Sequence, residues 1–224
     1  MKNIWHEVLP LIGAVTAVGA CAGFLLHSME LGLSLFVLGT VFLLFFFRDP
    51  DRTPPADAAA ILSGADGRVM SVMRLTENEH LKTECVRISV FLSIFDVHVN
   101  RTPLSGYAKF IGYFPGEKCF AFREKSSVLN QHNKILIEGL HTRCLVSQIV
   151  GPVARRVVYW LDHAVPVWVK AGDRIGMMKF GSRLDIYLPA ADVDVLAGRG
   201  DRVRAGETVI AQIKKEANED RADK

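Results

Sequence analysis

The stretch MMKFGSRLDIYLP, residues 177–189, has the composition of β-structure on both sides of a glycine–serine pair. The run before the pair is apolar, and RLDIYLP after it alternates apolar and polar residues as a strand does. A small pair at such a place predicts a bulge, a turn, or a point where the backbone itself reacts. The carbonyl of Gly181 is the least hindered that a serine hydroxyl can meet, so Ser182 is a candidate to attack its own chain.

Strand patterns of the same kind continue through residues 59–224, separated by turns that contain glycine. They predict one mainly β domain, a compact barrel or sandwich, built on the runs GRVMSVMRL, CVRISVFLSI, AKFIGYF, RCLVSQIV, ARRVVYWL, RLDIYLP and TVIAQI. The sequences KAGDRIGMMKF and GRGDRVRAGETVIAQI also share Gly-Asp-Arg before a β-branched residue. This repeat resembles the two intertwined halves of biotinyl- or lipoyl-type hammerhead domains, although Gly-Asp is also simply a common turn.

Two long apolar runs without a charged residue precede this domain: Val8–Leu26, of 19 residues, and Leu31–Phe47, of 17 residues. A membrane-spanning helix needs about 17–25 apolar residues, so residues 1–47 are predicted to form a helical hairpin that anchors the chain in a membrane. A cleaved signal peptide fits less well, because a second run follows at once and no small-x-small site lies in the gap HSME.

Basic residues predict how the hairpin is oriented. Lys2 precedes the first run, Arg48 and Arg52 follow the second, and the gap between the runs has neither lysine nor arginine. Because positive residues favour the cytoplasmic side, both ends are expected in the cytoplasm, with the β domain on the cytoplasmic side of the cell membrane. The charged, proline-rich segment 48–58 is the predicted linker.

The composition excludes several classes of function. Basic residues outnumber acidic ones by 26 to 22 after residue 47, which suits a surface near anionic lipid. No basic stripe interleaved with aromatic residues indicates nucleic acid. The four cysteines are scattered without a CxxC pair, so neither a metal site nor a disulfide framework is predicted, and reduced cytosolic thiols fit best.

Three residues could carry nucleophilic chemistry. Asp66 lies in LSGADGRV, where Asp-Gly is also a common turn, and His98 follows an apolar strand in FLSIFDVHVNRTPLSG. With Ser182 they form a Ser, His and Asp set in which histidine takes the hydroxyl proton and aspartate orients the imidazole. No G-x-S-x-G elbow surrounds Ser182, so the set alone does not define a hydrolase.

Four segments together resemble the phosphatidylserine decarboxylase proenzyme family in its short bacterial form. They are SGADGRV, FDVHVNRTPLSG, VSQIVGPVARRVV and GDRIGMMKFGSRLDIYLP, in this order. The resemblance runs from about Leu62 to Ile213, which is nearly all of the β domain. FDVHVNRTPLSG and the glycine–serine junction are each specific motifs of the family.

The resemblance implies that the chain cleaves itself. In the family, the serine of the pair attacks the preceding carbonyl in an N-to-O acyl shift, and elimination then breaks the chain. Here this would separate Gly181 from Ser182 and give a large chain, 1–181, and a small chain, 182–224, that stay together as a heterodimer. Ser182 would become a covalent pyruvoyl group, which is the cofactor, and no metal is implied. Whether the enzyme is a homo-oligomer is left open.

The resemblance also implies the reaction and its residues. The pyruvoyl ketone takes up the amine of phosphatidylserine from the bilayer as a Schiff base, acts as an electron sink like pyridoxal phosphate, and phosphatidylethanolamine is released. The self-cleavage residues map onto Asp66, His98 and Ser182, and His98 is also the candidate to protonate the carbanion. Arg155 and Arg156 either grip the lipid phosphate or serine carboxylate, or form a solvated pair at a strand start.

The sequence departs from larger family members at two places. They carry Leu-Gly-Ser-Thr at the junction, whereas this chain has Phe180–Arg183, FGSR. They also have a second histidine three positions before the catalytic one, and Phe95 occupies that position here. A mechanism that needs two histidines is therefore in doubt for this chain.

Three other functions remain open at this point. A membrane-tethered biotinyl or lipoyl carrier would use Lys179 in GMMKF as its acceptor, although its flanking residues differ from the Ala-Met-Lys-Met attachment sequence. A membrane serine hydrolase would use Ser182 with His98. A pyruvoyl decarboxylase of a soluble amine would have no need of the apolar hairpin.

Overall fold

The computed structural model describes residues 4–116, 130–151, 157–179 and 182–214. The chain divides into two compact units, one up to Pro50 and one from Asp51 onward. Over the described residues, the first unit is helical and the second consists of strands and their connections.

The first unit is a hairpin of two helices, α1 (Trp5–Leu25) and α2 (Met29–Phe46). Both are long and apolar enough to cross a membrane, as the two apolar runs predicted. Many large apolar side chains on the helices are exposed, for example Phe24 at 82%, which suits contact with lipid rather than water. The helices approach closely at glycines, since a Cβ added to Gly32 would lie 2.7 Å from the carbonyl oxygen of Gly19.

The second unit contains 14 described strands. Seven of them overlap the seven strand runs predicted from the sequence. They are β1 (Ala60–Leu62), β2 (Gly67–Glu77), β3 (Thr83–Leu92), β4 (Val99–Arg101), β5 (Gly106–Phe114), β6 (His132–Glu138), β7 (Arg143–Val150), β8 (Val157–Tyr159), β9 (Val167–Val169), β10 (Arg174–Met178), β11 (Ser182–Pro189), β12 (Val193–Val195), β13 (Arg202–Val203) and β14 (Val209–Ile213).

The strands form three antiparallel sheets. The largest has the order β13-β2-β3-β11-β7-β6-β5-β9, and the smaller two have the orders β1-β14-β12 and β4-β10-β8. The mainly β prediction is therefore confirmed. Among the described strands, the large sheet has β13 and β9 at its two edges, so it is an open sheet and not a closed barrel.

The two Gly-Asp turns noted in the sequence share one local geometry. Gly172 and Gly200 have positive φ angles of 86° and 99°, a region that favours glycine. In each turn the following aspartate accepts a hydrogen bond of 2.7 Å from the backbone N–H three residues before it. The strands β10 and β13 then begin at the arginine after that aspartate. The repeated Gly-Asp-Arg sequence therefore forms the same type of turn twice, while the comparison with hammerhead domains stays a prediction.

The strand β11 lies in the middle of the large sheet and is buried on both faces. It pairs with β3 on one side and β7 on the other. Leu184, Ile186 and Leu188 face the main apolar core. The alternate residues Arg183 and Asp185 are polar but fully buried as well, so the alternation of RLDIYLP does not mark a solvent-exposed face here.

Several strand ends meet at one end of the large sheet. Ser182 begins β11, and it pairs with Leu92, the last residue of β3, and with Val150, the last residue of β7. β2 begins with Gly67 beside the final residues of β3. We refer to this region as the Ser182 end of the sheet. Asp66 and His98 lie on connections near this end.

Candidate active site

Ser182 has a buried side chain whose hydroxyl is unpaired among the described residues. Its side chain is 0% exposed, and its Oγ has no hydrogen-bond partner in the part of the chain that the structure describes. An unsatisfied buried hydroxyl is costly and therefore uncommon in native proteins. A group kept in this condition is a candidate for chemistry rather than for stabilising the fold. Gly181, the other half of the predicted scissile pair, lies outside the described residues.

His98 lies on the connection between β3 and β4, close to the same end of the sheet. Its carbonyl accepts a hydrogen bond of 3.1 Å from the N–H of Met178, which ends β10. Leu92 at the start of this connection pairs with Ser182. Leu92 thus lies beside Ser182, and His98 lies beside Met178. These two contacts place His98 and Ser182 in one region.

The imidazole of His98 is fully buried and has a defined tautomer. Its Nδ1 lies 2.9 Å from the carbonyl oxygen of Asp96. A carbonyl oxygen only accepts, so Nδ1 carries the hydrogen and Nε2 is the nitrogen that can take up a proton. The side chain of Asp96 serves a different purpose, because its carboxylate accepts from the N–H and hydroxyl of Ser93 at 2.8 and 2.7 Å.

Asp66 lies at the Ser182 end as well, immediately before β2. One carboxylate oxygen accepts from the N–H of Ala205 at 2.8 Å, and the other is 2.7 Å from the guanidinium of Arg52. Burial raises the pKa of Asp66, while the N–H of Ala205 and the charge of Arg52 act in the opposite direction. The hydrogen bonds of this carboxylate thus go to Arg52 and Ala205, and its role toward His98 stays a prediction.

Arg52 is a residue of this region that the sequence did not reveal. Its side chain is only 7% exposed, and its two terminal nitrogens reach Asp66 at 2.7 Å and Glu207 at 3.0 Å. In the sequence it was only one of the positive charges that follow the second apolar run. Its neighbours Asp51 and Thr53 give no sign that a linker arginine will be buried between two acids.

A chain of buried amide side chains lies on the same face of the sheet as Ser182. Gln148 of β7 stands opposite Leu184, which shares a face with Ser182 because they are two residues apart. Gln148 Nε2 donates to Asn100 Oδ1 at 2.7 Å, and its Oε1 accepts from Asn133 at 3.5 Å. Asn100 Nδ2 is buried and has no partner among the described residues. The only signal in the sequence was a glutamine at an inward position of the apolar run RCLVSQIV.

The Gln148→Met variant is expected to lower the free energy of unfolding by about 1–3 kcal/mol, because Asn100 Oδ1 loses its donor inside the protein. Chemical denaturation in detergent measures this effect in the Ser182→Ala background, where the chain is expected to stay uncut. Gln212→Met is the matched control, since Gln212 is exposed and bonds only at the surface, and its change should stay within about 0.5 kcal/mol. Equal effects of the two variants would contradict the buried amide chain.

On the opposite face, Arg183 and Asp185 form a buried ion pair next to Ser182. The distance from Arg183 Nε to Asp185 Oδ1 is 2.6 Å, and Arg183 Nη2 donates to Ser89 Oγ at 2.8 Å. Both charged side chains are 0% exposed. Arg183, the residue that differs from the threonine of larger family members, therefore packs away from Ser182 and ties β11 to β3.

The remaining predicted residues are placed as follows. Arg155 and Arg156 lie outside the described residues, so their proposed contact with substrate stays a prediction. Lys179, the acceptor in the carrier alternative, follows β10 and is half-buried.

Ser182 and His98 are thus both buried near one end of an antiparallel sheet. A sequence model of the phosphatidylserine decarboxylase family matches residues 40–211 of the chain. A phosphatidylserine decarboxylase proenzyme of Carboxydothermus hydrogenoformans is 43% identical over 213 residues, which cover 95% of each chain. The proenzyme of Pelobacter propionicus is 41% identical over 95% of this chain and 100% of its own length, and that of Salinibacter ruber is 44% identical over 81% and 80%.

The chain therefore belongs to the phosphatidylserine decarboxylase family, a family of carboxy-lyases. The resemblance found in the sequence motifs is confirmed over most of the chain. The carrier and serine hydrolase alternatives lose their support, because the similar proteins are decarboxylase proenzymes.

Proposed function

We propose that this chain is a phosphatidylserine decarboxylase that matures by cutting itself between Gly181 and Ser182. The observation that carries the proposal is the buried Ser182 hydroxyl without a partner in the described part of the chain, at the sheet end that also holds His98. Membership of a family of decarboxylase proenzymes gives this hydroxyl its chemistry.

The self-cleavage begins with the hydroxyl of Ser182. His98 Nε2 takes the hydroxyl proton, since Nδ1 is engaged with the Asp96 carbonyl, and Oγ attacks the carbonyl carbon of Gly181. The amide becomes an ester on Oγ. Removal of the Cα proton of Ser182 then expels the Gly181 carboxylate and leaves dehydroalanine, which takes up water and releases ammonia to leave the pyruvoyl group.

The residues present fit such a group. It would occupy the place of Ser182, in a fully buried position where no described side chain hydrogen-bonds to the Oγ that is converted. When formed, a pyruvoyl group supplies a carbonyl electrophile for an amine and an electron sink for the electrons that carbon dioxide leaves behind. The protein excludes water from this position, and His98 is the residue able to return a proton to the product.

Asp66 and Arg52 are proposed to act together at the same end. Arg52 neutralises the carboxylate of Asp66 and, through its contact with Glu207, fixes the segment 204–207 against the start of β2. Asp66 therefore supports the electrostatics around Ser182 as a buried, paired carboxylate. Arg155 and Arg156 are proposed to contact the substrate phosphate or carboxylate.

The substrate and location follow from the same proposal. The two apolar helices would anchor the enzyme in the cell membrane with the strand-rich unit on the cytoplasmic side, where phosphatidylserine is reached from the bilayer. The domain assignment proposed is an anchor over 1–47, a linker over 48–58 and a decarboxylase domain over 59–224. The product is phosphatidylethanolamine, and the two cleaved chains stay together as a heterodimer.

Mass analysis of the active protein tests this function. We expect two chains ending and beginning at the Gly181–Ser182 junction, the smaller blocked at its N-terminus, and conversion of phosphatidylserine to phosphatidylethanolamine. Hydroxylamine, or borohydride with substrate, should abolish activity, and a fluorophosphonate probe should not label the protein. A single intact chain in active material, or a biotinyl or lipoyl adduct on Lys179, would rule the proposal out.

Replacing His98 tests the proton transfer. The His98→Asn variant is expected to cleave about 10²–10⁴-fold more slowly than the wild type, because it lacks a base for the hydroxyl of Ser182. The rate is read as conversion of one band to two on a denaturing gel after synthesis. His163→Asn, at an exposed histidine, is the control and should cleave at the normal rate. Normal cleavage by His98→Asn would remove His98 from the mechanism.

A further inference from the structure

We infer that the turn Ser93–Asp96 is a lipid-contacting tip that inserts its two apolar side chains into the surface of an anionic bilayer beside the active site. The inference rests on the proposed function and deepens it, because it names the surface through which the strand-rich unit meets its substrate. In the sequence, Phe95 stood out only as the residue at the position of the second histidine of larger family members.

The position of the turn is fixed by the strands around it. It leaves β3 directly after Leu92, which pairs with Ser182, and it leads within two residues to His98. Leu92, which pairs with the reacting serine, and the proposed base His98 therefore stand at the two ends of one short connection, and the turn lies between them. A surface at this turn lies next to the reaction centre.

The turn exposes apolar side chains where a soluble loop would carry polar ones. Ile94 is 41% exposed and Phe95 is 66% exposed, whereas Val97 just after them is buried. The backbone is held in shape, because Asp96 N–H donates to the Ser93 carbonyl at 3.0 Å and the Asp96 carboxylate accepts from both Ser93 N–H and Oγ. Ile94 and Phe95 therefore lie in a turn whose backbone is closed by hydrogen bonds between Ser93 and Asp96.

Exposed arginines on β13, just after it and at the start of β2 lie on one side of this turn, and we refer to Arg68, Arg202 and Arg204 as the basic patch. Arg202 reaches to 3.8 Å from the Asp96 carboxylate with its side chain 78% exposed, and Arg68, its partner across the sheet, is exposed too. Arg204 is 72% exposed. The segment 198–204, GRGDRVR, carries three arginines and one aspartate. Arg68 and Arg202 are opposite each other on paired strands and so share one face of the sheet, and Arg202 links that face to the turn through Asp96.

An apolar tip beside a basic patch fits a membrane with anionic headgroups better than it fits a protein. Apolar side chains at the tip enter the boundary between headgroups and acyl chains, and each arginine near the surface is attracted to anionic lipid. Two side chains bury too little area for a stable protein interface, which needs about 800 Å² on each partner. The proposed substrate is itself an anionic lipid, so the charge of the basic patch matches it.

The test separates turnover in a bilayer from turnover of dissolved substrate. The full chain, wild type and Ile94→Ser/Phe95→Ser, is reconstituted in vesicles that contain long-chain phosphatidylserine, and is also assayed in detergent with short-chain, water-soluble phosphatidylserine. We expect the double variant to lose about tenfold or more in kcat/KM on vesicles and to stay within about threefold of the wild type on the soluble substrate. Self-cleavage should be complete in both proteins.

The matched control is Leu140→Ser/Val165→Ser. Leu140 is 76% exposed and Val165 is 56% exposed. Leu140 precedes β7 and so lies at the end of that strand away from Val150, the residue that pairs with Ser182. This control should match the wild type on both substrates. Full activity of the tip variant on vesicles overturns the inference, as does an equal loss on both substrates, which would make the turn part of the catalytic pocket. A wild-type protein that turns over neither substrate would overturn the proposed function, and this inference with it.

Discussion

The Ser182→Ala variant is expected to remain a single chain of 224 residues without decarboxylase activity. Without Oγ there is no nucleophile for the Gly181 carbonyl, so the chain is not cut and the pyruvoyl group does not form. Enzymes accelerate their reactions by about 10⁶-fold or more. Because this acceleration would depend on the pyruvoyl group, we expect the activity to fall by at least about 10⁴-fold. A denaturing gel, mass analysis and a lipid assay measure the three consequences on the same preparation.

Two further variants test whether the loss of cleavage is specific to the nucleophile at position 182. Ser71→Ala removes another hydroxyl that is buried without a partner in the described part of the chain, and it should leave cleavage and activity unchanged. Ser182→Cys keeps a nucleophile of similar size and should retain measurable cleavage. If Ser182→Ala still splits at its junction, the self-cleavage mechanism is wrong, whatever the activity.

The sequence predicted those features that depend on local pattern. The hydrophobic runs predicted the two helices, and the strand runs predicted seven of the 14 described strands. Each of these depends on a few neighbouring residues whose side-chain pattern decides the local structure. The joint role of His98 and Ser182 was implied by the family resemblance and not by local pattern, and it stays a prediction, while the pairing of Leu92 with Ser182 places their connections side by side.

Contacts between distant segments were not predictable in the same way. Arg52 meets Asp66 and Glu207 only because a linker folds back onto the start of β2, and no periodicity marks that return. Gln148 meets Asn100 because two different sheets face each other, which depends on strand order and register. The sequence contains the residues of such networks, but their partners are decided by tertiary packing.

The pair Arg183 and Asp185 illustrates the same limit most clearly. In RLDIYLP the two charges occupy the polar positions of an alternating strand, a pattern that ordinarily marks a solvent-exposed face. In the fold, β11 is a central strand, and both charges are fully buried and bonded to each other. Opposite charges two residues apart on a strand share one face, so a paired and buried arrangement was compatible with the sequence but not indicated by it.

This buried pair predicts a large effect of Arg183→Met on stability. The substitution preserves much of the apolar stem but leaves the Asp185 carboxylate buried without its cation, which should lower the free energy of unfolding by about 3–5 kcal/mol. Unfolding is best measured by chemical denaturation in the Ser182→Ala background, where the chain stays uncut and a change in cleavage cannot affect the result. Lys134→Met is the control, because Lys134 pairs with the exposed Glu79 and should cost at most about 1 kcal/mol.

The double variant Arg183→Met/Asp185→Leu distinguishes a lost ion pair from lost packing. Removing both charges also removes the desolvation penalty, so this variant should be close to the parent protein in stability or exceed it. A double variant as unstable as Arg183→Met would mean that the shape of Arg183, and not its charge, holds β11 to β3. If the double variant is stable and also cleaves normally when Ser182 is restored, then the pair orders the strand, and Ser182 and His98 perform the chemistry on the other face.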